Sequence, residues 1–411
     1  MSAAAFEPIP FHRPSLGDAE RAAVIDVLDS GWLTTGARTA AFETAFAAYV
    51  GTSHAVAVNS ATAALHLAME GIGVGRGDEV IVPTYTFAAS AETVIYLGAR
   101  PVLVDVDPVT ANLDPTAAAA AIGPRTRALE VVHVAGLPAD LPGVLSAAGS
   151  VPVVEDVAHA FPSPVPALGG RYAGTIGRAG AFSFYATKTI TTGEGGMLVT
   201  DDAGLADRAR TMRLHGIGRD AWKRYTAAGS WYYEIEAAGF KDNLTDLAAA
   251  IGLVQLERAA DLRAARAAIA ERYLDGLADV ARDERLTLPT TGVASEHAWH
   301  LFIVRLGESA RPHDVIDLDL PGVVGLPPAH RLTASRRARA IDALREAGIG
   351  TSVHFIPLHL HPLYARMGYR PGQFPAAEGA YAGAISLPIW AGMTHGQVDR
   401  VIQGVGAALR G

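Results

Sequence analysis

Cysteine is missing from all 411 residues, so neither a disulfide nor a thiolate metal site is open to this chain. Lysine is scarce beside abundant alanine, arginine and glycine. No apolar run approaches the roughly 20 residues that a membrane-spanning helix needs. The net charge of -8 comes without a long basic run, which argues against nucleic acid or an anionic membrane as partner. The opening MSAAAFEPIPFHRP has no uninterrupted apolar core behind a basic start. It does not read as a secretory signal, and a cytoplasmic location is expected. The length suffices for a large core and suggests two domains, or a large one with a smaller partner.

The most informative stretch that is present runs from Ala181 to Asp202, AFSFYATKTITTGEGGMLVTDD. Ala181 to Phe184 predict a strand, Lys188 follows, Thr191 to Gly196 form a Thr/Gly-rich turn, and Met197 to Thr200 predict a second strand. A lysine between a buried strand and a loop too glycine-rich to crowd a ligand suits imine chemistry. Partial desolvation weakens its preference for the ammonium form and frees the amine to attack a carbonyl. A surface lysine in a hairpin has the same local pattern. Upstream, Pro152 to Asp156 predict a buried strand that delivers a carboxylate at its C-terminal end. An acid at a strand end followed by a strand-borne lysine matches how enzymes hold pyridoxal phosphate. The carboxylate keeps the pyridine nitrogen protonated, and the lysine holds the aldehyde as a Schiff base.

Three segments, EDVAHA (Glu155 to Ala160), FSFYATKTITTGEGG (Phe182 to Gly196) and KDNLTDLAAAIGLVQL (Lys241 to Leu256), resemble the sugar aminotransferases named for DegT, DnrJ and StrS. The resemblance covers nearly the whole chain. It implies an α/β architecture of the aspartate-aminotransferase-like kind, the PLP-dependent transferase fold type I. A mostly parallel sheet would lie between helices, with a small C-terminal α/β domain. Residues 1–260 would form the large cofactor-binding domain and 261–411 the small one. The implied reaction is reversible transamination with pyridoxal 5'-phosphate. An amino acid, expected to be glutamate, gives nitrogen to C4 of a nucleotide-linked (dTDP or UDP) 4-keto-6-deoxy sugar. Transfer to a C3 ketone or a cyclitol, and a cofactor-binding regulator without turnover, are the alternatives. Sugar dehydratases of this kind carry histidine where this chain has Lys188, which disfavours that branch.

The resemblance assigns roles by position. Lys188 and Asp156 are the catalytic pair. Phe87 would stack on the cofactor ring, although a core phenylalanine fits the same pattern, and His159 would lie by the ring or its phenolic oxygen. Ser183 and the backbone of Ala61 and Thr62 would hold the phosphate. Small and hydroxyl residues at a helix start offer free N–H groups, and they are also ordinary caps. The family usually has Ser-Gly-Thr where this chain has Ser60-Ala61-Thr62. Asn243 would reach the phosphate of the opposite subunit, making a homodimer with shared sites; a cap on its own helix is the other reading. Thr34 and Thr35, in a loop that reads equally as a plain turn, would approach the neighbouring site. Tyr185 and His354 are substrate-side candidates. His215 and Lys223 belong to a loop of cations and aromatics that suits a nucleotide diphosphate or simply a solvated surface. His354, His359 and His361 look like a metal set, but an extended segment separates them and no acid completes the site, so no metal is expected.

His54 to Val58 predicts a short strand, and the strand-helix-strand rhythm of Glu79 to Pro83, Pro101 to Val106, Val131 to Val134 and Val151 to Val154 implies parallel pairing through helical crossovers. Further on, strands are expected at 299–304 and 350–355 and helices at 338–347 and 398–409. Residues 307–335 read as an inserted loop.

Overall fold

The computed structural model describes residues 7–218, 232–284, 286–290, 297–307 and 314–410. In its first two thirds, short runs, many of them rich in valine, form β1 (His54–Val58), β2 (Glu79–Pro83), β3 (Arg100–Val104), β4 (Thr126–Val132), β5 (Val153–Asp156), β6 (Pro164–Val165), β7 (Arg171–Tyr172), β8 (Ala179–Ser183) and β9 (Gly196–Thr200). Seven of them pair in the order β1-β9-β8-β5-β4-β2-β3, while β6 and β7 make a separate ribbon. The pairs β2·β3, β2·β4, β4·β5 and β5·β8 are parallel. β9 runs antiparallel to both of its neighbours.

Runs such as Val80-Ile81-Val82 are continuous rather than alternating because helices cover both faces of the sheet. On one face, helix Ala37–Val50 brings Phe42 and Phe46 against Phe182 and Phe184, with ring centroids 5.0 to 5.4 Å apart where they cross. On the other, Ala64, Leu65, Leu67 and Ala68 of helix Ala61–Ile72 pack on Val56, Val80 and Val154.

The remaining residues form a three-stranded antiparallel sheet, β10 (Leu286–Thr287), β11 (Phe302–Leu306) and β12 (Ala384–Leu387). Helices Ala259–Gly276, Pro328–Glu346 and His395–Arg410 contribute to its core. Ile9 joins that core: its N–H donates to the Gly348 carbonyl and its carbonyl accepts from Gly350 N–H, both at 2.8 Å. From there the chain runs back to the large sheet.

Two expectations fail here. Residues 350–355 form no regular strand. Ser352 exchanges hydrogen bonds with Ser386 at 3.1 and 2.8 Å, and the chain then leaves the sheet. Residues 307–335 are not all loop either, since the helix begins at Pro328 instead of near 338, while 308–313 lie outside the described residues. That helix looks too polar to pack because its buried face holds arginines. Arg336 pairs with Asp314 at 3.1 Å, and Arg337 donates to the Tyr381 carbonyl at 2.6 Å with its guanidinium over the Tyr381 ring.

Candidate active site

A cavity of about 520 Å³ opens at the C-terminal ends of β4, β5 and β8, closed on the other side by residues 300–301 and 353–355. The reversal of β9 shapes one wall. Its first residue, Gly196, pairs with both Val58 and Ser183, so the end of β1 and the end of β8 meet there. A Cβ on Gly196 would lie 2.5 Å from the Ser60 carbonyl and 2.7 Å from Ala61 N, so only glycine allows this approach. Helix Ala61–Ile72 then starts at the cavity. Ser60 caps it by accepting from Ala63 N–H at 3.1 Å, leaving the Ala61 and Thr62 N–H groups without intrahelical acceptors. Ser183 Oγ, at the end of β8, accepts from Tyr185 N–H at 3.3 Å and lines the same corner.

Lys188 sits on the loop between β8 and β9, its Nζ 3.5 Å from His300 Nε2. Burial pushes its amine down to about 8, against the pull of Asp156 and with the help of the Arg266 charge. Arg266 is itself buried and donates to the carbonyls of Trp299, His300 and Ile389 at 3.0 to 3.3 Å. Asp156 ends β5. One of its oxygens accepts from Ala158 N–H at 3.0 Å and the other from Ser90 Oγ at 3.1 Å. Burial raises its carboxyl above the usual range, opposed by the Ala158 N–H and by Lys188.

Two histidines share the floor. His159 stacks on Phe355 (centroids 5.5 Å apart, planes at 14°) and lies 4.5 Å from His300. The Nδ1 atoms of both are buried without a partner. Burial first, and the Lys188 charge second, hold both far below the ordinary imidazole value, so both are neutral. Phe87 and Tyr185 line the cavity while remaining 62% and 47% exposed. His354 stacks on Phe11 (5.6 Å, 25°) and holds Ser386 Oγ at 2.8 Å through Nδ1. Desolvation lowers it to about 4.

The fold therefore brings Ala61, Thr62, Phe87, Asp156, His159, Ser183, Tyr185, Lys188 and His354 to one cavity. It does not bring Thr34, Thr35, Asn243 or His215 to the cavity of the same chain. Asn243 Nδ2 donates to Thr35 Oγ1 at 2.6 Å, and Thr35 Oγ1 donates to the Leu244 carbonyl at 2.5 Å. Asn243 does not cap the following helix; Thr245 does, accepting from Ala248 N–H at 3.3 Å. His215 is exposed beside Phe240, and Lys223 lies outside the described residues. His359 is turned away, bonded to Thr84 Oγ1 at 2.8 Å and Glu378 at 2.7 Å. Among the described residues no cluster of His, Asp and Glu could hold a metal ion.

His300, Phe11 and Arg266 were not among the candidates. Residues 299–301 read as the start of a strand, but Trp299 has a left-handed backbone (φ 52°) and stacks on His297. The strand starts only at Phe302, and His300 is turned to the lysine.

The sequence matches the profile of the DegT/DnrJ/EryC1/StrS aminotransferase family over residues 14–318 and 326–406. The chain belongs to that family. It is 43% identical over 407 residues to the spore coat polysaccharide biosynthesis protein SpsC of Bacillus subtilis, covering 98% of this chain and 97% of that protein. Among solved structures, the aminotransferase TlmJ from Streptoalloteichus hindustanus aligns with a TM-score of 0.84 at 36% identity, over 98% and 99% of the two chains. Streptococcus pneumoniae Spr1654 aligns at 0.85 and 30% identity in its PMP form, over 98% of each chain, and equally well in its PLP form. This DegT/DnrJ/EryC1/StrS chain is thus a PLP-dependent sugar aminotransferase of the α/β, mostly parallel architecture. The donor set suits that cofactor. An amine held short of full protonation, a strand-end acid, free N–H groups at a helix start and orphaned ring nitrogens all converge on one cavity.

No helix among the described residues is long and apolar enough to cross a membrane.

Proposed function

We propose that the enzyme moves nitrogen from an amino acid, with glutamate the expected donor, to C4 of a dTDP- or UDP-linked 4-keto-6-deoxy sugar. The observation that carries the reading is Lys188, with its lowered basicity, sharing one cavity with Asp156. Bound pyridoxal phosphate supplies the electron sink and the amino carrier. Lys188 Nζ holds or moves the proton at the reacting carbon. With a value of about 8, roughly a tenth of it is free amine at neutral pH. Asp156, fixed by Ser90 and Ala158, would pair with the ring nitrogen. The Ala61 and Thr62 N–H groups and the Ser183 hydroxyl take the phosphate at the positive end of their helix. Phe87 would stack on the ring and His159 would lie near it or its phenolic oxygen, while the neutral His300 accepts from the lysine.

Tyr185 and His354, which line the cavity, face the sugar. Thr34, Thr35 and Asn243 serve the site of a second copy. Support comes from the Thr35–Asn243 pair lying outside its own cavity with no capping role. The enzyme would then be a homodimer with shared sites, its large domain spanning 1–260 and its small one 261–411. That SpsC is named for polysaccharide biosynthesis supports a sugar acceptor. The test is a panel of keto substrates offered to the pyridoxamine-loaded enzyme. Spectral change with a dTDP- or UDP-linked 4-keto-6-deoxy sugar, regenerated by glutamate, is expected. Turnover only of a 3-keto sugar or a cyclitol ketone overturns the C4 assignment.

A further inference from the structure

β4 carries a second carboxyl group into the core behind the one at the end of β5. Glu130 is 0% exposed. In the β4·β5 register Glu130 faces Val154 and Val132 faces Asp156, so Glu130 and Asp156 lie on the same face of the sheet, one pleat apart. Neither Glu130 oxygen has a hydrogen-bond partner. Among the described residues no cation pairs with it. The polar groups that act on it are the Ser90 hydroxyl, on helix Ala88–Tyr96, and the Asp156 carboxylate. Its other surroundings on that face, Ala128, Val80, Val82 and Val154, are apolar. Ser90 links this acid to the site. Its hydroxyl donates to Asp156 and lies 2.8 Å from Thr86 Oγ1, next to Phe87.

Two buried acids this close cannot both ionise cheaply, and the one with fewer donors keeps the proton. Asp156 has the Ala158 N–H, the Ser90 hydroxyl and the Lys188 charge. Glu130 has only Ser90 within its influence, and burial drives its carboxyl well above the usual range. We propose that Glu130 is a positioning residue that stays protonated and, through Ser90, keeps the negative charge on Asp156. Ser90, the one hydroxyl that acts on it, commits its own proton to Asp156, which leaves the Ser90 oxygen to accept the Glu130 O–H once the carboxyl is protonated. That polarised chain lowers the proton affinity of Asp156, so a proton shared with the cofactor's ring nitrogen stays on nitrogen. The inference rests on Asp156 being the ring nitrogen's partner.

Infrared spectroscopy of the apoprotein tests the protonation state without any turnover. The difference between wild type and Glu130→Gln in neutral buffer is expected to lose the carbonyl stretch of a protonated carboxyl group. Loss of carboxylate bands instead overturns the proposal. Function is read from kcat and from the pH titration of the bound cofactor's visible absorption. Glu130→Gln, neutral and still a donor, should keep both. Glu130→Met should lower kcat by up to about tenfold, the upper weight of one hydrogen bond between neutral groups, leave KM for the keto substrate unchanged and shift the titration. A Glu130→Met enzyme with wild-type kcat and titration overturns the proposal. If that variant does not fold, the infrared difference and the cofactor titration of Glu130→Gln decide the proposal alone. Asp156→Asn separates the layers. Full activity there removes the reading of Asp156 itself, whereas a silent Glu130→Met beside a damaged Asp156→Asn removes only the role of Glu130.

Discussion

Glu155 and Asp156 are consecutive on β5, both buried, and they point to opposite faces of the sheet. Glu155 accepts from the N–H groups of Gly174, Ile176 and Gly177 at 2.6 to 2.8 Å and meets His133 Nε2 at 3.2 Å. Burial pushes its carboxyl up, yet His133 and these N–H groups outweigh it, and the net position is below the usual range. Asp156 has two donors, and there burial wins. A carboxylate whose lone pairs are all taken ties a loop to a sheet. One left short of donors, at a strand end facing a cavity, has capacity for a cationic partner.

The largest effect should come from the cation that acts on Asp156. Lys188→Ala is expected to lower turnover by more than about a thousandfold, with no borohydride-fixed cofactor adduct by mass spectrometry. A persistent adduct would assign the amine elsewhere. Next comes Glu155→Gln, which sets an amide against backbone donors and should cost the apoprotein about 3 kcal/mol in chemical denaturation. The bound cofactor's spectrum should not change. The sign of the pH dependence separates the neighbours. A lowered folded value means that Glu155 stabilises the fold above the unfolded carboxylate value of about 4.3 and loses that as pH falls through its folded value. A raised value means that Asp156 costs stability as pH rises from the unfolded value through the folded one.

Asp156→Asn should therefore leave the apoprotein as stable or more so, while lowering kcat at least tenfold, since a hydrogen bond to a charged group is worth about 1.5–3 kcal/mol. Wild-type turnover in that variant would place the ring nitrogen's partner elsewhere. The smallest effect extends the comparison to Asn243, whose amide is held by Thr35 outside its own cavity. Co-expressed Lys188→Ala and Asn243→Asp chains should recover up to about a quarter of wild-type activity, because half the dimers are mixed and each rebuilds one site of two. An active monomer in sedimentation, or no recovery, excludes shared sites.

The sequence disclosed elements far better than convergence. β1 and β2 were legible to the residue because valine-rich runs end at Asn59 and after Pro83. Asp156 and Lys188 were legible from the EDVAHA and FSFYATKTITTGEGG segments taken together, since a surface lysine in a hairpin shows the same local pattern. His300 was not, because one left-handed residue at Trp299 decides where it points. Phe11 reaches the cavity only because Ile9 anchors to Gly348 and Gly350, a contact across most of the chain. The helix from Pro328 was hidden by arginines that are buried yet paired, Arg336 with Asp314 and Arg337 with the Tyr381 carbonyl. Glu130 lay just before the expected strand at Val131 to Val134, whereas β4 runs from Thr126 to Val132, and no local pattern reveals that a buried acid lacks donors.

The reversed strand β9 has a consequence for the order of assembly. β8 and β9 are joined by residues 184–195 alone, so this ribbon, with Lys188 in its loop, closes a short stretch of chain. Its other neighbour, β1, arrives from residues 54–58, bringing Ser60 and Ala61 against Gly196. Local pairings close sooner than distant ones. On refolding, the amine's loop is expected to form before the phosphate cradle exists. Regain of the cofactor's visible absorption should then trail regain of sheet structure, and the cofactor acts as a clock for the docking of the edge strand.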